Sequence, residues 1–186
     1  MSKVCKTCRT RFEPELPGAL VCSEPCAMAF AVSVNGKAKK VAKVRERKAD
    51  KIQRDKLKTR GQWQTEAQTA FNAFIRLRDA GQPCICCGRH SAGEVHGGDF
   101  DAGHYRSRGS APHLRFDERN VHAQLKQCNR YASGNIVGYR VGLIERIGPV
   151  AVAELECDQA PRRYSIDDLR EIKKTYAAKT KELKKD

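Results

Sequence analysis

The strongest apolar repeat in the chain lies in residues 62–80 and has helical spacing. Its apolar side chains are Trp63, Ala67, Ala70, Phe71, Phe74, Ile75 and Leu77. Because they recur mostly three and four residues apart, they predict an amphipathic helix with one buried face. Gly81 and Pro83 end the pattern, since both residue types interrupt helices. We expect the aromatic stripe to be core packing and not a surface on which bases stack.

Three further helices are predicted toward the carboxyl end of the chain. Residues 136–147 and 149–156 are two short segments separated by Gly148-Pro149. Ser165-Ile166-Asp167-Asp168 has the arrangement of a capping box, with Asp where Glu is usual, and opens the last helix. Residues 84–135 lack regular periodicity. A strand or hairpin around 99–105 is expected there, which makes the fold class α+β.

A pattern of charge marks residues 37–60. Twelve basic and three acidic residues give this tract a net charge of +9, without an internal Pro or Gly. Helix formers predominate, which predicts a solvated helix. A solubilising linker is one interpretation, and contact with the DNA backbone is the favoured one because the charge is so one-sided. The residues assigned to this contact are Lys39, Lys40, Lys43, Arg45 and Arg47.

The whole chain carries a net charge of +14 over 186 residues. Such an excess attracts polyanions, with double-stranded or branched DNA as the leading partner and a membrane surface as the weaker alternative. No apolar run is long enough to span a membrane, and the amino terminus lacks the apolar stretch of a signal peptide, so a cytoplasmic location is expected. Aromatic residues make up only 6% of the chain, and metal sites would supply folding energy that so thin a core cannot.

Eight of the nine cysteines fall in two clusters. The first, Cys5-x2-Cys8 followed by Cys22-x3-Cys26, has the count and spacing of a closed, structural four-cysteine zinc site. Redox-active thiols are the competing interpretation. We divide the chain into a small zinc-finger unit (1–30), a basic helical linker (31–61), a central core (62–148) and a carboxyl-terminal helical segment (149–186).

The second cluster, Cys84, Cys86, Cys87 and Cys128, frames residues suited to phosphodiester hydrolysis. That reaction needs a base for the attacking water, a cation that stabilises charge on oxygen, and a group that orients the base. A histidine, carboxylate or amide oxygens for a Mg²⁺-type ion, and one further amide would meet these needs.

The order of these residues resembles the HNH, or ββα-metal, nuclease superfamily: Cys-x2-Cys, a central Gly-His, a downstream Asn and a final Cys-Asn. More narrowly, the chain resembles the phage NinG (Rap) recombination proteins. The matching segments are the four-cysteine unit, the basic linker, 72–76, 83–88, 101–106, 114–120, 133–135 and 139–141. The resemblance implies a zinc-stabilised ββα-metal core. It also implies an endonuclease that nicks Holliday junctions and displacement loops with Mg²⁺ or Mn²⁺.

The resemblance implies a role for individual residues. His104 would be the general base, and Asn129 a ligand of the catalytic metal. Asn120 would be the middle asparagine that supports the loop and aims His104. Asp101 would be the carboxylate near the metal. Asp99 competes with it, because the residue directly before the histidine is not acidic here.

The chain departs from the family pattern at position 125, where a cysteine is expected and Leu125 stands. The zinc ligands that remain are Cys84, Cys87 and Cys128. Cys86, His122 or a water could complete the second site. Otherwise the knuckle would be empty and held by packing of Leu125.

Four arginines flank the histidine and the middle asparagine: Arg106, Arg108, Arg115 and Arg119. Their fork geometry suits bidentate contact with DNA phosphates, which is the favoured interpretation. Salt bridges with Asp117 and Glu118 are the alternative. Nothing in the sequence predicts base recognition, so selectivity is expected from the shape of the DNA backbone.

Three hypotheses follow for the function. The chain is a metal-dependent endonuclease for branched DNA, a non-catalytic zinc protein that binds nucleic acid with a decayed nuclease site, or a zinc-stabilised interaction protein. A homodimer is left open, since two active sites would cut both strands of a junction most easily.

Overall fold

The computed structural model describes residues 2–90 and 98–185 and has the predicted α+β class. The chain divides into two compact units, Met1–Lys58 and Thr59–Asp186. None of the described helices is both long and apolar enough to cross a membrane.

The first unit combines a small hairpin with a long helix. Strand β1 (Lys3–Val4) pairs antiparallel with β2 (Arg11–Phe12), and α1 (Glu24–Leu57) follows. None of the α1 side chains is buried, so the helix presents its charge to solvent. The helix predicted for the basic tract is confirmed, but it begins earlier, at Glu24 with Pro25 in its first turn, continues through Gly36 and ends at Leu57. The predicted boundary at residue 30 therefore lies inside a continuous helix.

The second unit contains an antiparallel strand pair surrounded by helices. Its elements in chain order are α2 (Arg60–Arg78), β3 (Phe100–His104), a 3-10 turn (Pro112–Leu114), β4 (Val121–Leu125), a π-helical turn (Gln127–Tyr131), α3 (Ile136–Ile147), α4 (Pro149–Cys157) and α5 (Ile166–Glu182). Strands β3 and β4 pair so that Gly103 faces His122. The helices predicted from periodicity and the strand expected around 99–105 are confirmed.

Helices α2 and α5 begin at capping boxes. The Ser165 hydroxyl accepts from the Asp168 backbone N–H at 3.1 Å, and the Ser165 N–H donates to the Asp168 carboxylate at 2.8 Å. Thr59 and Gln62 exchange the same pair of bonds at 3.3 and 2.8 Å. Each box satisfies backbone donors that a helix start otherwise leaves open. The capping box predicted for the last helix is confirmed.

The first core forms where α5 packs against α2. Trp63, Phe71 and Phe74 are buried there, which confirms that the aromatic stripe is core. The rings of Phe71 and Tyr176 meet edge to face, with centroids 4.7 Å apart, a favoured aromatic geometry. Leu169 and Tyr176 of α5 share this core, so residues 149–186 are packed into the second unit and do not form a separate segment.

A buried carboxylate joins three elements at the end of α2. Asp79 accepts hydrogen bonds from Arg78 at 2.7 and 3.0 Å and from the Ala123 N–H of β4 at 2.8 Å. Arg146 of α3 lies 3.5 Å from the same carboxylate. Burial would raise the pKa of Asp79, but these bonds and charges hold it below its ordinary value. The ionised Asp79 therefore ties α2, β4 and α3 together.

The turn at residues 84–87 packs directly on α3 through two glycines. A β-carbon added to Gly142 would lie 1.9 Å from the Ile85 carbonyl oxygen, and one added to Gly138 would lie 2.3 Å from the Cys86 carbonyl oxygen. Only glycine lets a helix approach another backbone this closely. The close approach fixes the turn that carries three of the clustered cysteines.

Substitution of Gly142 by Ala should therefore destabilise the second unit. The added methyl group meets rigid backbone, so we expect the free energy of unfolding to fall by about 2 kcal/mol, measured by chemical denaturation. Gly61→Ala is the matched control, since the nearest atom to its added β-carbon is 3.9 Å away. Equal stabilities of the two variants would contradict the close approach.

Candidate functional site

The first cysteine tetrad lies in the hairpin unit. The sulfur atoms of Cys5, Cys8, Cys22 and Cys26 all lie within 4.8 Å of one another. The hairpin supplies Cys5 and Cys8, Cys22 lies just before α1, and Cys26 lies in the first turn of α1. Four thiols converging in this way form a donor set that could bind zinc.

The second tetrad contains four thiols although Leu125 stands where a cysteine is expected. Cys84, Cys86 and Cys87 of one turn meet Cys128 of the π-helical turn, again with all sulfurs within 4.8 Å. This set could also bind zinc. Its fourth thiol comes from Cys86, one of the alternatives left open by the sequence. Leu125 instead packs against the apolar cluster around these cysteines.

Every sulfur of the second tetrad accepts an N–H donor. The contacts run from Leu125 N to Cys84 Sγ (3.2 Å), from Gln124 Nε2 to Cys86 Sγ (3.3 Å), from Arg89 Nε to Cys87 Sγ (3.5 Å) and from Arg89 Nη2 to Cys128 Sγ (3.9 Å). Burial raises the pKa of the Cys87 thiol, but the Arg89 contact outweighs it and brings the value to about 7. Such donors favour thiolates, the form in which cysteine binds metal. Burial acts in the opposite direction and raises the pKa of Cys86 to about 12 and also the pKa of Cys128.

His122, another alternative for the second metal, is packed in the interior. Its ring is 5% exposed and lies edge-on to Tyr139, with centroids 6.4 Å apart. Its Nδ1 has no hydrogen-bond partner among the described residues, and burial lowers its pKa to about 4. His122 is outside the group of residues that could hold a metal.

A polar cleft of about 510 Å³ opens beside the strand pair. Its lining includes Asn72, Arg76, Asp101, His104, Ser107, Arg108, Asn129, Arg130 and Ser133. Strand β3 contributes the acid and the histidine, and the π-helical turn contributes Asn129. The structure thus brings His104, Asp101 and Asn129 to one cavity.

His104 is half-buried and bonded through one ring nitrogen. Its Nε2 lies 3.1 Å from the Arg115 carbonyl oxygen. A carbonyl can only accept, so this contact places the proton of the neutral ring on Nε2 and the lone pair on Nδ1. Burial, with the charges of Arg108 and Arg115, lowers the pKa of His104 to about 4. The imidazole is therefore neutral at physiological pH, as a proton acceptor must be.

Asp101 faces two donors from the π-helical turn. Asn129 Nδ2 donates to its Oδ2 at 3.0 Å, and Arg130 donates to both carboxylate oxygens, at 2.7 and 3.0 Å. Although burial would raise the pKa of Asp101, these bonds lower it. The side chain is ionised at neutral pH and could supply a cation ligand, while Asn129 retains its amide oxygen for the same purpose.

Asn120 is fully buried and pins the loop between the strands. Its Oδ1 accepts from the Arg106 N–H at 2.8 Å, and its Nδ2 donates to the carbonyls of Arg106 and Leu114 at 3.0 and 3.2 Å. The next carbonyl along the chain, that of Arg115, is the one that meets His104. Asn120 therefore positions the histidine indirectly, by fixing the loop.

The four arginines assigned to DNA have different surroundings. Arg106 donates to carbonyls at the end of α4, including that of Leu155 at 2.9 Å, and so acts as a helix C-cap. Arg119 forms salt bridges with Asp117 at 2.9 Å and Glu154 at 3.1 Å. Salt bridges were the alternative to contact with DNA phosphates. Arg115 donates to Gln68 at 3.2 Å. Arg108 lines the cleft and is exposed.

Several residues of the site had no assigned role in the sequence. Asn72 and Arg76 line the cleft from α2, and their spacing of four on the polar side of an amphipathic helix was the available signal. Gln124 links Cys86 Sγ to the Gly134 carbonyl. Arg130 follows Asn129 directly, but nothing in the sequence distinguishes it from other arginines.

Comparison with known proteins gives a consistent result. A family model described as "Bacteriophage Lambda NinG protein" matches residues 1–186. Protein ninG of Salmonella phage P22 is 42% identical over 193 residues, covering 97% of this chain and 93% of that protein. Protein ninG of Escherichia phage lambda is 41% identical, covering 97% and 92%. Protein ninG of Escherichia phage 933W is 48% identical over 134 residues, covering 72% and 64%. No solved structure matches.

Replacing Cys86 with Ser should remove one zinc ion. The wild-type protein should contain about two zinc ions per chain, one for each tetrad, and Cys86→Ser about one, because three thiolates hold zinc less tightly. Metal analysis after dialysis measures this content. Cys157→Ser should keep both ions, since this exposed cysteine lies outside the tetrads. Full zinc content in Cys86→Ser would exclude Cys86 as a ligand.

Replacing Asn120 with Ala should loosen the loop that holds His104. The change removes three hydrogen bonds and leaves buried backbone groups unpaired, so the free energy of unfolding should fall by about 2 kcal/mol. Urea denaturation measures the loss. Asn129→Ala is the matched control, a half-buried amide at the cleft whose loss should cost little. Similar losses in both variants would contradict the positioning role of Asn120.

Proposed function

Because the chain belongs to the NinG family of bacteriophage proteins, we propose that it is a metal-dependent endonuclease that hydrolyses phosphodiester bonds in branched DNA. The observation that carries the proposal is the convergence of His104, Asp101 and Asn129 on one cleft. The substrates proposed are Holliday junctions and displacement loops, in the cytoplasm of the bacterial host.

His104 is the general base in this proposal. Its Nε2 is held by the Arg115 carbonyl, so Nδ1 is the atom that takes a proton from the attacking water. The lowered pKa keeps that nitrogen unprotonated at physiological pH. Burial makes it a weak base, so the developing hydroxide needs further stabilisation from the site.

Asp101 and Asn129 are the residues that would hold Mg²⁺ or Mn²⁺. A carboxylate and an amide oxygen are ligands that hard cations prefer. When bound, such an ion neutralises charge that develops on the phosphoryl and leaving oxygens. Asp101 lies on β3 and Asn129 on the π-helical turn, their side chains are hydrogen-bonded at 3.0 Å, and both line the cleft.

The order of elements supports the HNH, or ββα-metal, resemblance. Two antiparallel strands, β3 and β4, are followed by a helical turn that begins directly after β4. The histidine ends the first strand, and the asparagine follows the last cysteine of the tetrad. The second tetrad would secure the turn that carries Asn129, as a structural zinc does when it fixes nearby functional groups.

Cationic side chains support a DNA substrate. Arg76, Arg108 and Arg130 line the cleft, and α1 of the other unit carries a dense and fully exposed set of lysines and arginines. Contacts of this type bind phosphates without reading bases. Arg106 and Arg119 are already bonded within the protein, so Arg108 is the member of the original four best suited to phosphate. A homodimer remains part of the proposal, since paired sites would resolve a junction.

A non-catalytic DNA-binding protein is the second candidate function. The Asp101 carboxylate already receives two hydrogen bonds from Arg130, and a cation must compete with that guanidinium. A site in which the pair never opened would bind DNA and leave it uncut. This observation favours the alternative of a decayed nuclease site.

Cleavage of a fluorescent four-way junction with Mg²⁺ or Mn²⁺ separates the two functions. Wild-type protein should cut the junction, and His104→Ala should cut it about 10²- to 10⁴-fold more slowly while binding it equally well. His90→Ala is the matched control, an exposed histidine outside the cleft. Binding without cleavage by the wild type would establish the non-catalytic function instead.

A further inference from the structure

The ion pair between Arg130 and Asp101 occupies the carboxylate assigned to the cation. Within the described part of the chain, the hydrogen bonds of the Arg130 side chain all end on Asp101, at 2.7 and 3.0 Å. Both residues line the same cleft as Asn129 and His104. In this arrangement a divalent cation and the guanidinium compete for the same two oxygens.

We propose that Arg130 is a gate on the cation site that a DNA phosphate opens. In the free protein Arg130 holds Asp101. When DNA enters the cleft, a backbone phosphate takes the guanidinium and Asp101 becomes available to the cation. The inference rests on the proposed function to the extent that the cleft receives both a cation and a phosphate, but it does not require that the DNA be cut.

The exposure of the two partners makes this exchange feasible. The Arg130 side chain is 55% exposed, whereas that of Asp101 is 21% exposed. An exposed ion pair contributes little to stability and opens readily. The guanidinium fork matches a phosphate as well as it matches a carboxylate, so Arg130 can change partner without losing its pattern of hydrogen bonds.

The rest of the cleft favours the arrival of a phosphate at this point. Arg76 and Arg108 add positive charge to the same lining, which attracts the DNA backbone. Asp101 keeps its bond to Asn129 at 3.0 Å when Arg130 leaves, so the carboxylate stays in place for the cation. In this proposal the Arg130 guanidinium binds Asp101 in the free protein and a DNA phosphate once DNA has entered the cleft.

A gate of this kind couples the two ligands. If DNA removes a competitor of the cation, DNA must raise the affinity for the cation, and the cation must raise the affinity for DNA by the same factor. General electrostatics would also raise cation affinity near DNA. A variant that removes an equal charge from the same cleft without releasing Asp101 distinguishes the two causes.

The test measures Mn²⁺ binding by electron paramagnetic resonance, with and without a four-way junction. All proteins carry His104→Ala, so that the DNA stays intact, and their zinc content is checked first. Arg130→Gln is compared with Arg108→Gln as the charge-matched control. Asp101→Asn in the same background tests whether the measured ion uses this carboxylate.

We expect Arg130→Gln to bind Mn²⁺ more tightly than the parent without DNA, on the order of 5-fold or more, and Arg108→Gln to tighten it clearly less, by the loss of one charge alone. The junction should tighten Mn²⁺ binding to the parent, and this gain should largely disappear in Arg130→Gln. Asp101→Asn should weaken Mn²⁺ binding in both conditions.

Equal shifts in Arg130→Gln and Arg108→Gln would overturn the gate and leave only a general charge effect. Unchanged Mn²⁺ binding in Asp101→Asn, or no Mn²⁺ binding in any variant, would overturn it as well. These outcomes are independent of whether the wild type cuts a junction, so a failure of the gate and a failure of the nuclease proposal are distinguishable.

Discussion

Four cysteine sulfurs converge within 4.8 Å at the junction of one turn, one strand and one helical turn, and the candidate site is arranged around that convergence. The turn at 84–87 packs on α3 where two glycines admit its backbone. Strand β4 touches the same cluster through the Leu125 N–H and the Gln124 amide. Cys128 fixes the helical turn that presents Asn129 and Arg130. A metal held by these thiolates would therefore position groups of the cleft that never touch it.

A second set of contacts secures the strand pair. The aromatic core between α2 and α5 includes Ala102 of β3 and Val121 of β4, and the buried Asp79 carboxylate links α2 to β4 and α3. Asn120 then fixes the loop whose Arg115 carbonyl holds His104. The second cysteine tetrad therefore stabilises one part of the cleft, and the buried hydrogen bonds of Asp79 and Asn120 stabilise another.

The cleft contains a carboxylate that could bind a cation and a guanidinium that could bind an anion. Asp101 is the carboxylate suited to a cation, and Arg130 is the cation already paired with it. His104 lies nearby as a neutral ring whose proton placement is dictated by a backbone carbonyl. The cleft can bind a cation and an anion side by side only if Asp101 and Arg130 release each other and bind those ligands instead. A dense group of lysines and arginines lies elsewhere, on α1, where its charge contributes to encounter with polyanions and not to chemistry.

The sequence by itself determined the helices, a strand near residues 99–105 and both cysteine clusters, because periodicity, capping residues and metal-ligand spacing are local signals. The roles proposed for the cleft residues came instead from the resemblance to a known family. The sequence left open which group replaces the cysteine expected at Leu125, and it did not separate Arg106 and Arg119 from arginines available to DNA. Those points depended largely on contacts between residues far apart in the chain, such as Gln124 with Cys86, Arg119 with Glu154 and Arg106 with Leu155. Only the tertiary structure could decide them, since a side chain's partner is set by which elements pack together and not by its neighbours along the chain. The pairing of Arg130 with Asp101 is the same case: β3 and the π-helical turn must first be brought side by side.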